Sequence, residues 1–298
     1  MPRKEIPKHI RKYVHPFRIE NGKNFQLNDF DPPETCGLDK EEATELLQRD
    51  IAWLTEKQEM LYAQDSWSLL LILQGMDAAG KDSTIKHVMS GVNPRGCHVF
   101  SFKQPSSDEL QHDFMWRYAK RLPERGRIGI FNRSYYEEVL VVRVHPELLK
   151  RQHLPLALVG KAIWDERLAD MARFEDYADR QGIKILKCFL HVSREEQKKR
   201  FIERLDEPEK NWKFSESDVQ ERKFWGDYMA AYEAAIKATA SKQAPWYVVP
   251  ADHKWFSRLV VAAIIVDALG NLGLAYPKVD AARKKELAAA RAALARER

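Results

Sequence analysis

A single loop constrains the fold of this chain more than any other feature. The sequence 75-GMDAAGKD-82 places Gly75, Gly80 and Lys81 at the spacing of a phosphate-binding loop. The apolar run 67-WSLLLILQ-74 precedes the loop, and a helical pattern follows it. A phosphate loop needs a buried strand before it and a helix after it, so that backbone N–H groups and the positive end of the helix face the anion. The sequence therefore predicts a P-loop α/β protein that binds phosphate groups.

Apolar runs and helical periods alternate along the chain. We predict strands at 67–74, 97–102, 127–131, 183–192 and 246–250, and helices at about 39–64, 81–90, 107–120, 155–181, 193–205, 215–239 and 253–269. This order implies parallel βαβ units with helices on both faces of the sheet. The expected fold is a three-layer αβα sandwich around a mostly parallel five-stranded sheet.

We predict that the chain forms one domain with an N-terminal arm and a C-terminal tail. Residues 1–37, rich in Pro, Lys and Arg, form an N-terminal arm, and residues 38–275 form the P-loop domain. A helical insertion at about 195–240 is the candidate lid, and the Ala- and Arg-rich residues 276–298 form a helical tail. With 44% hydrophobic residues, the 298-residue chain can bury a sizeable core.

Composition limits the classes of function. The net charge of +5, from 49 Lys and Arg and 44 Asp and Glu, is too small an excess to indicate a nucleic-acid-binding protein. Cys36, Cys97 and Cys188 have no metal or redox spacing, which suits reduced thiols in a cytoplasmic protein. The chain has no run of about 18 apolar residues and no signal-peptide core, so we expect no membrane contact.

Two carboxylates make the phosphate loop unusual. Asp82 stands where such loops usually carry a Ser or Thr that binds Mg²⁺. It could ligate Mg²⁺, or it could favour the first helical turn through the helix dipole. The negative charge of Asp77 would repel the phosphates that it faces, unless a cation or an acid–base role compensates for the repulsion. Its position therefore indicates Mg²⁺ binding or proton abstraction from an incoming phosphate.

The third predicted strand leads into 132-NRSYYEE-138. Walker-type enzymes often have a Mg²⁺-binding Asp at this strand end, whereas Asn132 could hold only a water or a phosphate. The guanidinium of Arg133 is suited to bidentate phosphate contacts in the same crevice. Ser134 and Glu137 have capping-box spacing, so Glu137 either caps a helix or contacts a metal or the acceptor.

The segment 193–218 concentrates positive charge. Arg200 and Arg204 lie four residues apart on one helix face, which is unfavourable unless an anion lies between them. Lys210 and Lys213 extend the same basic track, although a solvated helix face would explain the charges equally well. P-loop kinases carry a lid at this point of the chain, and its closure brings cations to the phosphoryl group and excludes water.

Together these motifs resemble the polyphosphate kinase 2 family. The resemblance lies in four blocks in the same order, G-x-D-x-x-G-K-D, FNRSYYEEVLV, RxxxRxxxPxxxWKFS and APWYVVPADHKW, and spans about residues 10–275. It implies a P-loop kinase fold similar to thymidylate kinase, with a helical lid. It also implies phosphoryl transfer between inorganic polyphosphate and nucleotides with Mg²⁺, or with Mn²⁺ in its place.

The resemblance further implies roles for individual residues. Lys81 and the loop amides would hold the phosphates in transfer, Asp77 would bind the metal or orient the acceptor, and Arg133 would contact the nucleotide or the transferred phosphate. Polyphosphate would follow Arg200, Arg204, Lys210 and Lys213. The remaining nucleotide- and phosphate-binding residues would be Gly75, Ala78, Ala79, Gly80, Asp82, Ser83, Asn132 and Glu137.

Asn132 also bears on the choice of acceptor. Many members of the family have Asp here, and Asn is similar to the subgroup that phosphorylates both nucleoside mono- and diphosphates. We therefore expect AMP and ADP as acceptors and ATP as a product, with guanine nucleotides as further candidates. The resemblance to the family also implies a homodimer or homotetramer. One alternative is an ATP-dependent nucleoside monophosphate kinase. Another is a non-catalytic nucleotide sensor, or a protein that binds nucleic acid through the basic helix.

Overall fold

A mostly parallel sheet with two groups of packed helices forms the body of the molecule. The computed structural model describes residues 6–297, apart from the side chains of Lys210 and Lys213. The strands are β1 (Arg18–Ile19), β2 (Ser68–Gln74), β3 (Cys97–Ser101), β4 (Ile128–Asn132), β5 (Ile183–His191) and β6 (Trp246–Pro250). The helices are α1 (Lys8–Val14), α2 (Lys40–Gln64), α3 (Lys81–Val88), α4 (Trp116–Ala119), α5 (Val141–Val144), α6 (Ile163–Arg180), α7 (Arg194–Asp206), α8 (Glu216–Glu221), α9 (Trp225–Thr239), α10 (Lys254–Asn271) and α11 (Ala281–Leu294).

The order of strands across the sheet is β1-β6-β5-β2-β4-β3. All neighbouring strands are parallel except β1 and β6. The predicted mostly parallel α/β fold is thus confirmed, with six strands instead of five. The additional strand is β1, which has two residues and pairs with the outer edge of β6. A segment this short has no alternation that a sequence pattern could reveal.

The helices form two packed groups. Helix α10 packs against α1, α2 and α3, whereas α6 packs against α9 and β5. The N-terminal arm is more ordered than its composition indicates, because α1 buries Ile10, Tyr13 and Val14. Helix α11 in the tail is exposed along its whole length. Within residues 6–297, every helix is too short or too polar to cross a lipid bilayer.

The helix predicted at 107–120 is wrong over most of its length. Only α4 is helical, preceded by a 3₁₀ turn at Glu109–Gln111. The Asp113 carboxylate accepts a hydrogen bond from the Met115 N–H at 2.9 Å, and so binds its own backbone before a helix can continue.

Two other helix boundaries also differ from the prediction. Helix α6 begins at Ile163 and not near residue 155, because Pro155 and a 3₁₀ turn occupy the intervening segment. The helix predicted at 215–239 is divided into α8 and α9 by a 3₁₀ turn at Arg222–Phe224. Arg222 docks this turn on α7 by donating to the Arg194 carbonyl at 3.0 Å.

A buried ion pair joins α6 to the sheet. Lys187 Nζ on β5 lies 2.5 Å from Glu175 Oε2 on α6, and both side chains are buried. Burial lowers the pKa of Lys187, and the Glu175 charge opposes that shift. The other Glu175 oxygen accepts from the hydroxyls of Tyr135 and Tyr136, each at 2.8 Å. The network therefore fastens the segment that follows β4 to the core.

Removing one member of the buried pair should destabilise the protein strongly. Lys187→Met would leave the Glu175 carboxylate buried without its cation, so we expect the free energy of unfolding to fall by about 3–5 kcal/mol. The exposed pair of Arg173 and Asp170 on α6 is a matched control, and Arg173→Met should cost less than about 1 kcal/mol. Urea denaturation measures both values. Similar losses in the two variants would contradict the structural role of the buried pair.

Candidate active site

An open cleft lies at the carboxyl ends of the parallel strands, where α/β sheets bind their ligands. Its volume is about 1040 Å³, and eight Lys or Arg residues line it against four Asp or Glu residues. The basic residues are Lys81, Lys86, Lys103, Arg133, Arg200, Arg204, Lys254 and Arg258, and the acidic residues are Asp77, Asp82, Glu203 and Asp218. This excess of positive charge favours a polyanionic ligand.

Most of the residues singled out in the sequence meet in this cleft. Those that line it are Asp77, Ala78, Gly80, Lys81, Asp82, Ser83, Asn132, Arg133, Arg200 and Arg204. Gly75, Ala79 and Glu137 lie behind that surface and contact the lining residues through hydrogen bonds or an ion pair. The side chains of Lys210 and Lys213 lie outside the described residues.

The phosphate loop between β2 and α3 has a tightly curled backbone. Ala78 and Gly80 adopt left-handed φ angles of +62° and +106°. For Ala78 this conformation is strained, and such strain is typical of functional sites. Position 75 requires a glycine for steric reasons, because a Cβ there would lie 2.9 Å from the Leu190 carbonyl oxygen. The glycines therefore serve the geometry of the loop.

Lys81 lies within the curl of the loop. Its Nζ donates to the carbonyl oxygens of Gly75 at 2.6 Å and of Met76 at 3.2 Å. Burial lowers the pKa of this ammonium group, and the negative charge of Asp77 opposes the shift. The loop thus holds a cation beside its own N–H groups, which is the arrangement that cradles phosphate oxygens.

Asp77 and Arg133 form an ion pair in the cleft, with 2.8 Å between Oδ1 and Nη2. Burial raises the pKa of the Asp77 carboxyl, but the charges of Lys81 and Arg133 outweigh it and hold the pKa below its ordinary value. A carboxylate with a lowered pKa is a poor proton acceptor near neutral pH. The geometry therefore favours a role for Asp77 as a fixed negative charge over proton abstraction.

The backbone at Arg133 is strained as well. Its φ angle is +65°, and its N–H donates to the Leu73 carbonyl at 3.0 Å just beyond the end of β4. Arg133 Nη1 lies 3.9 Å from Glu137 Oε2, and the Glu137 charge is the main cause that raises the pKa of Arg133 above its ordinary value. The guanidinium is thus permanently charged and held between two carboxylates at the cleft.

Glu137 does not complete a reciprocal capping box. Ser134 Oγ accepts from the Tyr136 N–H at 3.2 Å and begins a short 3₁₀ turn. Glu137 Oε1 instead accepts from Gln74 Nε2 at 3.0 Å. The Glu137 carboxylate therefore lies between the end of β2 and Arg133, and it orients the guanidinium.

Asp82 and Asn132 connect the loop to β4. Asn132 Nδ2 donates to Asp82 Oδ1 at 2.5 Å, and Ser101 Oγ lies 3.4 Å from the same nitrogen. Asp82 belongs to the first turn of α3, as expected for a residue that favours the helix dipole. Its carboxylate is nevertheless directed across the cleft towards β4. The helix dipole alone therefore does not account for the position of Asp82.

The cleft contains carboxylate ligands for a divalent cation, but these carboxylates do not form a closed cage. Among the described residues, no group of three or more His, Cys, Asp or Glu side chains is arranged to hold a metal ion. Mg²⁺ in phosphate-transfer sites keeps several waters and binds one or two carboxylates together with substrate phosphates. Asp77 and Asp82 both line the cleft and fit that set of ligands.

Arg200 differs from the expectation that it belongs to an exposed basic track. Its side chain is only 3% exposed. Its hydrogen-bond acceptors are the carbonyl oxygens of Ala78 (2.8 Å), Ala79 (3.2 Å), Ala251 (2.6 Å) and Asp252 (2.9 Å) and the carboxylate of Glu196 (2.8 Å). A guanidinium has five N–H donors, so these contacts leave little for a ligand. Arg200 instead fastens α7 to the phosphate loop and to the loop after β6.

Gln197 holds the phosphate loop from the same helix. Its Nε2 donates to the Asp77 carbonyl at 2.9 Å, and its Oε1 accepts from Arg222 at 2.6 Å. Together with Arg200 it binds three consecutive carbonyl groups of the loop. A trans peptide unit directs its C=O and N–H groups in opposite directions, so the N–H groups of Ala78 and Gly80 face away from α7. The Ala79 N–H donates to the Met76 carbonyl within the loop at 3.1 Å. Helix α7 thus positions the loop for an anion.

Four further basic residues of the cleft escaped the sequence analysis. They are Lys86 on α3, Lys103 after β3, and Lys254 and Arg258 on α10. The last two lie four positions apart at the start of a helix, Lys254 within the block 244-APWYVVPADHKW-255 and Arg258 just after it. This spacing puts them on one face of α10, and it was the sequence signal that could have identified them.

Known proteins resemble the chain over most of its length. A family model described as Polyphosphate kinase 2 (PPK2) matches residues 37–273. The ADP-polyphosphate phosphotransferase of Rhodopseudomonas palustris is 51% identical over 274 residues, 91% of this chain and 94% of that protein. The AMP/ADP-polyphosphate phosphotransferase of Meiothermus ruber is 42% identical over 271 residues, 90% and 97% of the two chains. The crystal structure of polyphosphate kinase 2 from Arthrobacter aurescens TC1 has a TM-score of 0.83 at 40% identity, covering 91% of this chain and 95% of that one.

Replacing Arg200 should loosen the phosphate loop. Arg200→Gln removes most of the bonds to the loop carbonyls, so we expect the free energy of unfolding to fall by about 2–4 kcal/mol and the amides of residues 76–84 to exchange hydrogen faster. Lys198→Gln, at an exposed position of the same helix, is the control. Hydrogen exchange with mass spectrometry reports the loop directly. Unchanged exchange at 76–84 in Arg200→Gln would show that α7 does not hold the loop.

Proposed function

Since this chain belongs to the polyphosphate kinase 2 family, we propose that it transfers phosphoryl groups between inorganic polyphosphate and the nucleotides AMP and ADP. The observation that carries the proposal is a phosphate loop that opens into a cleft lined by eight basic residues. A nucleotide alone needs fewer cations, whereas a polyphosphate chain adds a negative charge with every phosphate. The relatives named for ADP and for AMP/ADP support the choice of acceptors.

The reaction exchanges one phosphoanhydride bond for another. A phosphate oxygen of the acceptor attacks the terminal phosphorus of polyphosphate, and the bond to the bridging oxygen breaks, so the shortened polyphosphate leaves with that electron pair. Bonds of the same kind are formed and broken, so the reaction is reversible. Positioning and charge neutralisation then account for most of the catalysis.

Three charged side chains have separate roles at the reacting phosphates. Lys81 and the loop N–H groups bind the phosphoryl group in transfer, and Arg133 binds the acceptor phosphate. Asp77 keeps Arg133 in place through their 2.8 Å contact. The acceptor needs no base, because the last ionisation of a phosphate monoester has a pKa of about 6. The lowered pKa of Asp77 agrees with this account.

Enzymes of this family depend on a divalent metal ion. We propose Mg²⁺, with Mn²⁺ as a substitute, bound by Asp77 and Asp82 together with substrate phosphates. When bound, the ion neutralises charge on the phosphate oxygens. Asn132 contributes no charge of its own and orients Asp82 by its 2.5 Å hydrogen bond.

The proposal includes several features beyond the adenine nucleotides. Guanine nucleotides are further acceptors, the protein is a cytoplasmic homodimer or homotetramer, and Arg204 contacts phosphates from α7. The division into an arm at 1–37, a P-loop domain at 38–275 with its lid at about 195–240, and a tail at 276–298 stays a prediction.

In the presence of Mg²⁺, the purified protein should make ATP from ADP and long-chain polyphosphate. Lys81→Ala should lower kcat by about 100-fold or more, because the phosphoryl group loses its main cation. Lys284→Ala, on the exposed helix α11, is the control and should retain full activity. Coupled ATP detection measures the rate, and circular dichroism confirms folding.

Two results would contradict this assignment. A folded wild-type protein that makes no ATP from polyphosphate would overturn the proposed activity. Phosphorylation of AMP or dTMP by ATP alone would then identify a nucleoside monophosphate kinase. Full activity of Lys81→Ala would show that the phosphoryl group binds elsewhere.

Asp77→Asn separates a fixed charge from a proton acceptor. The variant keeps the size of the side chain but removes the charge that holds Arg133, so we expect kcat to fall by about 10-fold or more. Because the pKa of Asp77 is lowered, the rates of wild type and variant should change in parallel between about pH 6 and 8. Loss of an acidic limb of the pH–rate profile only in the variant would instead identify Asp77 as the base.

A further inference from the structure

The phosphate loop contains a β-turn whose central peptide bond joins Asp77 to Ala78. The turn is closed by the Ala79 N–H, which donates to the Met76 carbonyl at 3.1 Å. Ala78, the third residue of the turn, has a φ angle of +62°, whereas the φ angle of Asp77 is negative. A positive φ at the third position alone is typical of a type II turn, which normally has Gly there. The loop therefore holds an alanine in a conformation that suits glycine.

A type I turn would relieve this strain. The two turn types differ by a rotation of the central peptide plane of about 180°, and type I gives the third residue a negative φ that alanine adopts readily. In the observed turn the Ala78 N–H lies on the side opposite α7, where the loop N–H groups receive a phosphate. The rotation would bring the Asp77 carbonyl oxygen to that side, and this oxygen would repel the phosphate.

Gln197 on α7 is the side chain that holds this peptide. Its Nε2 donates to the Asp77 carbonyl oxygen at 2.9 Å, and the residue is buried. Arg200 binds the carbonyl groups of Ala78 and Ala79, which belong to the next two peptides. Residues with a strained backbone persist only where the surrounding structure fixes them. The orientation of the central peptide of the turn thus depends on Gln197.

Arg222 determines which end of the Gln197 amide faces the loop. It lies in the 3₁₀ turn between α8 and α9, and its Nη1 donates to Gln197 Oε1 at 2.6 Å. A guanidinium has only donors, and a carbonyl oxygen is only an acceptor. With Arg222 on one side and the Asp77 carbonyl on the other, a single orientation of the amide makes both hydrogen bonds. Without Arg222, the amide is free to rotate and to place Oε1 against the Asp77 carbonyl oxygen.

The segment that carries Arg222 also reaches the cleft. Helix α8 ends at Glu221, directly before Arg222, and Asp218 on this helix lines the cleft. Arg222 makes a second hydrogen bond, from Nη1 to the Arg194 carbonyl on α7 at 3.0 Å. The position of α8 is therefore linked to the phosphate loop through the side chains of Arg222 and Gln197.

We propose that Arg222 is a positioning residue for phosphoryl transfer. Through Gln197 it holds the peptide between Asp77 and Ala78 in the type II orientation, and the Ala78 N–H then donates to the phosphoryl group in transfer. This assignment rests on the proposed function, because that function places the phosphoryl group in the loop. A movement of α8 on substrate binding is transmitted to the loop by the same two side chains.

Gln197→Glu separates positioning of the loop from docking of Arg222. An ionised carboxylate still accepts from Arg222, but it cannot donate to the Asp77 carbonyl. We expect kcat with ADP and long-chain polyphosphate to fall by about 10-fold or more, because one N–H donor to the transferring group is lost, and KM for ADP to stay within about 3-fold of wild type. Arg222→Met should have a similar effect. Lys223→Met, at the exposed neighbouring position, is the control and should leave both constants unchanged.

Ala78→Gly tests whether Arg222 acts through the turn. Glycine is the preferred third residue of a type II turn, so the peptide then needs no support from Gln197. When Arg222→Met is combined with Ala78→Gly, we expect kcat to fall by less than about 3-fold relative to Ala78→Gly alone. Equal losses with and without Ala78→Gly would overturn the proposal, and so would an unchanged kcat in Gln197→Glu.

Crystal structures of Arg222→Met and Gln197→Glu show the peptide without any activity assay. We expect the φ angle of Ala78 to become negative, with the Asp77 carbonyl turned away from α7. A positive φ in both variants would contradict the role of Arg222 and leave the proposed function standing. If the wild-type protein forms no ATP from polyphosphate, the proposed function fails, and the orientation of the peptide still decides whether Arg222 positions the loop. If Arg222→Met unfolds early in urea, Gln197→Glu, which keeps the contact with Arg222, provides the comparison.

Discussion

The backbone of the phosphate loop has to turn its N–H groups towards an anion, and its carbonyl groups then need partners on the other side. Helix α7 supplies them. Arg200 and Gln197 bind three successive loop carbonyls, and Arg200 also binds the loop after β6. The loop, α7 and the sheet are therefore held as one unit, and the placement of Lys81 depends on that unit. A guanidinium suits this task because its donors form a planar fork.

A second constraint is the concentration of charge. The cleft gathers eight basic residues, and the fold tolerates them because carboxylates are placed among them: Asp77 and Glu137 hold Arg133 from two directions. These acids do not neutralise the cleft. They orient its cations, and the remaining positive charge is matched only by a polyanion. The strained backbone at Ala78 and Arg133 is found where this orientation matters most.

Much of the fold followed from local patterns. The five longer strands and helices α2, α3 and α10 begin or end within a few residues of their predicted positions, because each has a clear period or a glycine, proline or capping residue at its boundary. The helix prediction for 107–120 was wrong because the Asp113 side chain binds the nearby backbone, and the spacing of apolar residues does not reveal that contact. The prediction missed strand β1 because a two-residue segment has no periodic pattern.

By itself, the sequence determined the phosphate loop and the parallel sheet, since motif spacing is a local property of the chain. It also singled out Lys81, Asp77 and Arg133, which the structure brings together in the cleft. Only the tertiary structure decided how the basic residues are used. Arg200 and Arg204 look alike in sequence and both line the cleft, yet Arg200 is buried with its donors on backbone carbonyls, whereas Arg204 is only partly buried. Lys254 joins the site from the far end of the chain because β6 lies two strands from β2 in the sheet. Which charges face a ligand depends on burial and on partners from distant segments, and a linear pattern carries neither.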